Sequence, residues 1–168
     1  MNTETKPKKE SKLDIDSNYD LRLVSTLSPA LRWVLTLPIA FIAMFAVQVG
    51  FGTLVKLINS NLPMGEIVST IMLSTVMLAK YAIFVIAATS TAPVARNKKF
   101  IAAIAAAFIG ALLCVGGTAI SLSLSVAIDK TMLISTFAAS ILGLLLGIWK
   151  VRNATSKPLT EENKASQL

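Results

Sequence analysis

The sequence predicts an all-α membrane protein in which four transmembrane helices form an antiparallel up-down bundle with both termini in the cytoplasm. Three observations lead to this prediction. The chain is 54% hydrophobic and only 15% charged, with a mean hydropathy of +0.69, which is typical of membrane proteins. Apolar runs long enough to cross a bilayer occur four times along the chain. Basic residues collect beside alternate ends of these runs.

Two segments precede the first predicted span, one polar and one amphipathic. Residues 1–20 are of mixed charge and lack the apolar core of a secretory signal, so we predict a disordered cytoplasmic tail. Residues 21–31 are amphipathic and are predicted to form a short segment in the membrane interface. Ser28 is suited to cap a helix and Pro29 is suited to its first turn.

The transmembrane domain is predicted to occupy residues 32–152. Its shortest apolar run has 19 residues, and a helix of roughly 20 residues crosses about 30 Å of hydrocarbon. The predicted spans are about 33–55, 67–92, 101–128 and 131–149. Residues 153–168 are polar again and are predicted to form a disordered cytoplasmic tail.

The distribution of basic residues predicts how the spans are oriented. Thirteen Lys and Arg residues flank the spans on one side of the predicted topology, and only Lys56 and Lys130 flank them on the other. Because basic residues are enriched in cytoplasmic loops, we predict a multi-pass protein of the cell inner membrane with the N and C termini inside. Trp33 and Trp149 fall on the inside face, as expected of interfacial anchors.

Lys80 is the only formally charged residue inside any predicted span. It lies near the middle of the second span, whose 26 residues reach about 39 Å as a helix. Three interpretations remain open for this residue. The lysine extends to a headgroup or stays neutral among hydroxyls, it pairs with an acidic residue of a partner chain, or it serves transport or ligand binding.

Two sets of candidate residues follow from these patterns. A polar site within the membrane would combine Lys80 with Thr118 and Ser140, which lie at a similar predicted depth, and with Gln48, which lies nearer the outer side. A second set consists of small residues that share a helix face and allow close helix packing. Its members are Gly110, Cys114, Ala139, Gly143 and Gly147. These small residues either pack the third span on the fourth or face a second subunit or another protein.

The composition also argues against several classes of protein. The net charge of +7 comes from cations that flank apolar runs and do not form a basic face, so we expect no nucleic acid partner. Without histidine and with Cys114 as the single cysteine, the chain lacks the usual metal-ligand sets and histidine-based nucleophile arrangements. We therefore expect no metal and no cofactor.

We predict that the protein is not an enzyme but an accessory or assembly subunit of a membrane complex, because membrane spans are present and converging catalytic groups are not. The expected partners are the lipid bilayer and either a second copy or an acidic membrane helix.

The alternative is a small oligomeric transporter or channel that uses Lys80. The helix count is similar to that of the small multidrug resistance transporters, but the first span lacks the acidic residue that those proteins use. A third hypothesis, an intramembrane enzyme, would pair Cys114 or Ser140 with Lys80.

Overall fold

A computed structural model of the chain describes residues 14–16, 18–62, 65–123 and 130–156. These residues are almost entirely helical and contain no strand. Four of the five α-helices are long and apolar enough to span a membrane, which confirms this part of the predicted fold class. The helices are α1 (Arg22–Ser25), α2 (Pro29–Asn61), α3 (Glu66–Thr91), α4 (Lys99–Ser123) and α5 (Lys130–Ser156), with a 3₁₀ turn (Arg96–Lys98) before α4.

The long helices extend beyond the apolar runs that predicted them. Helix α2 has 33 residues, about 50 Å in length, and α5 continues to Ser156 although 153–168 was expected to be a disordered tail. Backbone hydrogen bonding does not end where the apolar residues end, so the helices continue into their polar flanks. As predicted, Ser28 caps α2 by accepting from the N–H of Leu31 at 3.5 Å, and Pro29 begins its first turn.

Parts of three predicted segments lie outside the described residues. They are most of the predicted N-terminal tail (1–13 and 17), the last part of the third predicted span (124–128) and most of the C-terminal tail (157–168).

Helix α3 is the central helix, because it packs against α2, α4 and α5, whereas α2 packs mainly on α3. Helices α2 and α3 are antiparallel, since Arg32 near the start of α2 contacts Thr91 at the end of α3, and Gln48 contacts Lys80. We call the end of the bundle where α2 begins and α3 ends the strap end, and the opposite end the far end.

Glycines of α5 bring its backbone against that of α3. A Cβ atom at Gly143 would lie 3.0 Å from the carbonyl carbon of Leu78, and one at Gly147 would lie 2.8 Å from the Cβ of Val85. These pairs also show that α3 and α5 run in the same direction. The two glycines therefore pack the fourth span on the second, which differs from both alternatives that the small-residue pattern suggested.

The other small residues of that pattern are also buried within the chain. A Cβ at Gly110 would lie 2.6 Å from the side chain of Leu144 on α5 and 3.4 Å from that of Phe84 on α3. Cys114 and Ala139 are buried as well. Small side chains therefore let three helices approach closely where lipid provides no hydrophobic drive for association.

The chain that leads into α2 docks on the strap end of the bundle. We call residues 14–27, as far as they are described, the strap. The N–H of Leu21 donates to the carbonyl of Ser90 on α3 at 2.9 Å, and Tyr19 and Val24 are buried. The sequence predicts a disordered tail for the first part of the strap and a place in the membrane interface for the rest. In the structure the described residues of the strap lie against helix ends, where the side chains of Tyr19 and Val24 are buried.

Candidate functional site

Lys80 lies near the middle of α3 and faces α2. Its ammonium group donates to the side-chain oxygen of Gln48 at 3.3 Å and approaches the sulfur of Met77 at 3.9 Å. It also lies 5.6 Å from the centre of the Tyr81 ring, within the range of a cation–π contact. Among the described residues no carboxylate forms an ion pair with Lys80. Within the ranges that the structure describes, the half-buried ammonium is thus supported by an amide, a thioether and an aromatic ring.

The amide of Gln48 is held in place by its own helix. A Cβ atom added at Gly52, one turn further along α2, would lie 3.1 Å from the side-chain nitrogen of Gln48. Glycine at this position leaves room for the amide to fold along the helix with its oxygen directed at Lys80. The sequence predicts Gln48 as a candidate member of the polar site, nearer the outer side than Lys80, and gives no role to Gly52.

The other two members of the predicted polar site do not join Lys80. The hydroxyl of Thr118 donates to the carbonyl of Cys114 at 2.9 Å, and that of Ser140 donates to the carbonyl of Thr136 at 2.7 Å. Both hydroxyls therefore bond to the preceding turn of their own helices, as Ser and Thr commonly do inside helices.

A second polar cluster, which the sequence did not predict, lies at the strap end. One carboxylate oxygen of Asp20 lies 2.6 Å from the guanidinium of Arg32 on α2 and 2.6 Å from the ammonium of Lys99 on α4. Lys99 is 0% exposed, and the exposed fractions of the Arg32 and Asp20 side chains are 9% and 16%. One carboxylate of the strap therefore joins two of the long apolar helices, α2 and α4.

The end of α3 explains why two cations gather at this point. The last carbonyls of a helix lack intrahelical partners and carry partial negative charge. Lys99 donates to the carbonyls of Thr89 at 3.0 Å and Ala92 at 2.8 Å, and Arg32 donates to that of Thr91 at 3.1 Å. All three ammonium protons of Lys99 thus have an acceptor when Asp20 is included.

The strap end perturbs the titration of two strap residues. Burial opposes ionisation of Asp20, but the hydrogen bonds and positive charges of Arg32 and Lys99 outweigh it and hold the pKa of this carboxyl below its usual value. Burial raises the pKa of the Tyr19 hydroxyl to about 12. Near neutral pH the strap therefore holds Asp20 as an anion and Tyr19 as a neutral phenol.

The signal for the strap-end cluster was present in the sequence. Arg32 and Lys99 are counted among the basic residues that fix topology, although Arg32 directly precedes the first predicted span and Lys99 lies two residues before the third. Ala92 and Pro93 end α3 without a polar cap of their own, so donors for the last carbonyls had to come from elsewhere. Asp20 is the acidic residue nearest to the first span on its N-terminal side.

A groove of about 390 Å³ lies at the far end between the first turns of α3 and α5. Its polar lining comes from Glu66, Thr70, Thr131 and Ser135. Glu66 precedes Lys80 by 14 residues on α3, which is about 21 Å along a helix. The groove and the Lys80 pair are therefore separate features.

Comparison of the chain with protein-family models, with curated proteins and with solved structures found no match.

Proposed function

We propose that the protein is a multi-pass protein of the cytoplasmic membrane, with both chain ends inside, that serves as a non-enzymatic accessory or assembly subunit of a membrane complex. The four long apolar helices support a place in the membrane. The flanking basic residues support an inward strap end. Trp33 and Trp149 agree with this orientation, because both are mostly exposed near that end, where interfacial aromatic residues are common.

The proposed role rests on the hydrogen-bond partners of Lys80. At the strap end Asp20 neutralises buried cations, but at Lys80 the described part of the chain supplies only the uncharged acceptors named above. Ionisable residues within a membrane are costly and usually pair with one another or face a polar cavity. A carboxylate from another membrane helix would complete the site.

Asp20 cannot serve Lys80 as well. Thr91, at the strap end, follows Lys80 by eleven positions on α3, which is about 16 Å along the helix. The four predicted spans contain no Asp or Glu, so a second copy of this chain would not bring an acid to the depth of Lys80. We therefore infer that the partner is a helix of a different protein with an Asp or Glu inside its span.

Substitution of Lys80 tests the proposal. The protein is cross-linked in native membranes, purified in mild detergent, and its attached proteins are identified and quantified. K80M removes the charge and keeps an unbranched side chain, so it should lose a partner that K80R retains. Q48L provides a matched control, since it removes the neighbouring amide and leaves the ammonium in place, and it should retain the partner.

A charge exchange makes the test specific. If the partner contains an acid within its span, combining K80D with a lysine at that acid should restore the association that either change alone abolishes. An unchanged set of attached proteins in K80M would contradict the proposal.

The transporter alternative rests on the same pair, because Lys80 and Gln48 place two polar side chains between α2 and α3 within otherwise apolar helices. Purified protein in liposomes distinguishes the two functions. Flux of an ion or a small solute that depends on the wild-type protein and is absent with K80M would favour transport over an accessory role.

A further inference from the structure

The groove at the far end is the open part of the seam between α3 and α5, by which we mean the line along which these two helices meet. The helices run in the same direction, and Gly143 of α5 lies against the backbone of Leu78 on α3. Counting eight residues back from each of these two positions gives Ser135 and Thr70, which line the groove. The helices therefore touch at Gly143 and stand apart about two turns nearer to the far end.

The carboxylate of Glu66 gives the groove an anionic acceptor. Glu66 lies in the first turn of α3, where the partial positive charge of the helix end favours an acid. Among the residues that the structure describes, no cation forms an ion pair with it. Lys130 begins α5 at the same end of the bundle, but it does not line the groove. The charge of Glu66 is therefore available to a ligand.

Two hydroxyl groups in the groove are available as well. Those of Thr70 and Ser135 line the groove and form no hydrogen bond with any part of the chain that the structure describes. Thr75 and Thr136, on the same two helices, instead donate to carbonyls of the preceding turn at 2.9 Å and 2.8 Å, as is common inside helices. The two groove hydroxyls therefore keep their hydrogen-bonding capacity for a bound molecule.

A third unpaired hydroxyl lies one turn further along the seam. Ser74 follows Thr70 by four positions on α3 and so shares its face of the helix. The Ser74 oxygen is buried and has no hydrogen-bond partner within the described ranges. Buried polar atoms are nearly always hydrogen-bonded, either to protein or to a bound molecule. Ser74 is thus an independent indication that a polar group from outside the chain enters the seam, and the groove begins one turn away on the same face.

We propose that the groove binds a primary ammonium group, supplied either by a small amine in solution or by the headgroup of a lipid such as phosphatidylethanolamine. An ammonium group has three N–H donors and no acceptor, which matches the carboxylate of Glu66 and the hydroxyl oxygens of Thr70 and Ser135. A Mg²⁺ or Ca²⁺ ion needs about six or more oxygen ligands and would leave most of the groove of about 390 Å³ empty. An anion would be repelled by Glu66.

Two experiments with the full-length protein in nanodiscs separate the two sources of ammonium. In the first, the bilayer consists of phosphatidylcholine and phosphatidylglycerol, which have no primary ammonium, and ligand-detected proton NMR measures the affinity for added ethanolamine. Choline is the matched ligand, because its quaternary ammonium has the same charge but no N–H donor. In the second, the bilayer contains equal amounts of phosphatidylethanolamine and phosphatidylcholine, and native mass spectrometry counts the lipids of each kind that the released protein retains.

Matched substitutions test which side chains bind the ligand. We expect E66Q to weaken binding at least about tenfold and S135A to weaken it about threefold to tenfold, the scale of one charged and one neutral hydrogen bond. S69A also removes a serine hydroxyl at the far end, but that hydroxyl donates to Asn59 of α2 at 3.0 Å, so S69A should bind like the wild type. The wild type should bind choline at least about tenfold more weakly than ethanolamine.

Either experiment can support the proposal. Saturable binding of ethanolamine that E66Q weakens identifies a soluble amine as the ligand. If free ethanolamine does not bind, a preference for phosphatidylethanolamine over phosphatidylcholine that E66Q abolishes identifies a lipid headgroup. The proposal is overturned if neither ligand is preferred to its choline counterpart, or if E66Q leaves the preference unchanged. Equal weakening by S135A and S69A would also overturn it, because the ligand would then lie outside the groove.

Discussion

Replacing Gly143 by alanine should weaken the contact between α5 and α3, the helix that carries Lys80. The added methyl would lie 3.0 Å from the Cα and the carbonyl carbon of Leu78 and closer still to its oxygen, whereas ordinary contacts begin at 3.4 Å. These atoms belong to a helix backbone and cannot rotate away. The two helices must therefore separate by several tenths of an ångström.

The expected decrease in the free energy of unfolding follows from this separation of the two helices. Overpacking a well-packed interface costs about 1–3 kcal/mol, and a gap of roughly 0.5–1 Å forfeits about a quarter to a half of the dispersion energy of each contact it affects. Alanine also favours a helix over glycine by about 1 kcal/mol. Gly117 of α4 has no atom within 4 Å of an added Cβ, so G117A gains the same helix propensity without the clash. The two variants should differ by about 1–3 kcal/mol.

The free energy of unfolding of both variants can be measured by titrating the purified protein in mixed micelles with a denaturing detergent while following helicity by circular dichroism. G143A should be less stable than the wild type or close to it, and G117A should be equal to the wild type or more stable. If G143A were as stable as G117A, the close approach of α3 and α5 at Leu78 would be refuted.

Two further predictions concern the polar centres. G52A should displace the Gln48 amide, because the new methyl would lie 3.1 Å from its nitrogen, whereas Gly50 has open space around an added Cβ; the NMR resonances of that amide should shift in G52A and not in G50A. Docking of the strap should be constant near neutral pH and weaken at both extremes. The contribution of Asp20 is fully present above its usual pKa of 3.8 and is lost as the pH falls through the lowered folded value. That of Tyr19 is fully present below 10.0 and is lost as the pH rises towards about 12. Carbon-13 NMR titration of the two side chains gives both midpoints, and an Asp20 midpoint above 3.8 would contradict the strap-end geometry.

The positions of the long helices could be predicted from the sequence because long apolar runs have few folded alternatives. A run of about 20 apolar residues has few folded alternatives to a spanning helix, so α2 to α5 could be placed to within several residues of their ends. Gln48 was a candidate for the polar site, but counting residues placed it nearer the outer side than Lys80, and the hydrogen bond between the two side chains is seen only in the structure. Thr118 and Ser140 do not bond to Lys80 despite their similar predicted depth. Depth does not determine which way a side chain points, and the hydroxyl groups find acceptors on their own helices.

The cluster of Asp20, Arg32 and Lys99 at the strap end could not be predicted by counting residues. Lys99 and Asp20 are 79 positions apart, and composition assigned Asp20 to a disordered tail. Basic residues at the ends of spans have two roles, setting orientation and supplying donors to helix ends, and the first role was sufficient to explain them in the sequence. Only the three-dimensional arrangement shows that Lys99 is fully buried and therefore requires an anion.

The long separation between Asp20 and Lys99 also has a consequence for biosynthesis. The ribosome completes Asp20 and Arg32 well before Lys99, which begins the third long helix. During translation Asp20 can therefore meet Lys99 only after α2 and α3 have been synthesised. Until then, of the two cations that bind this carboxylate, only Arg32 is present.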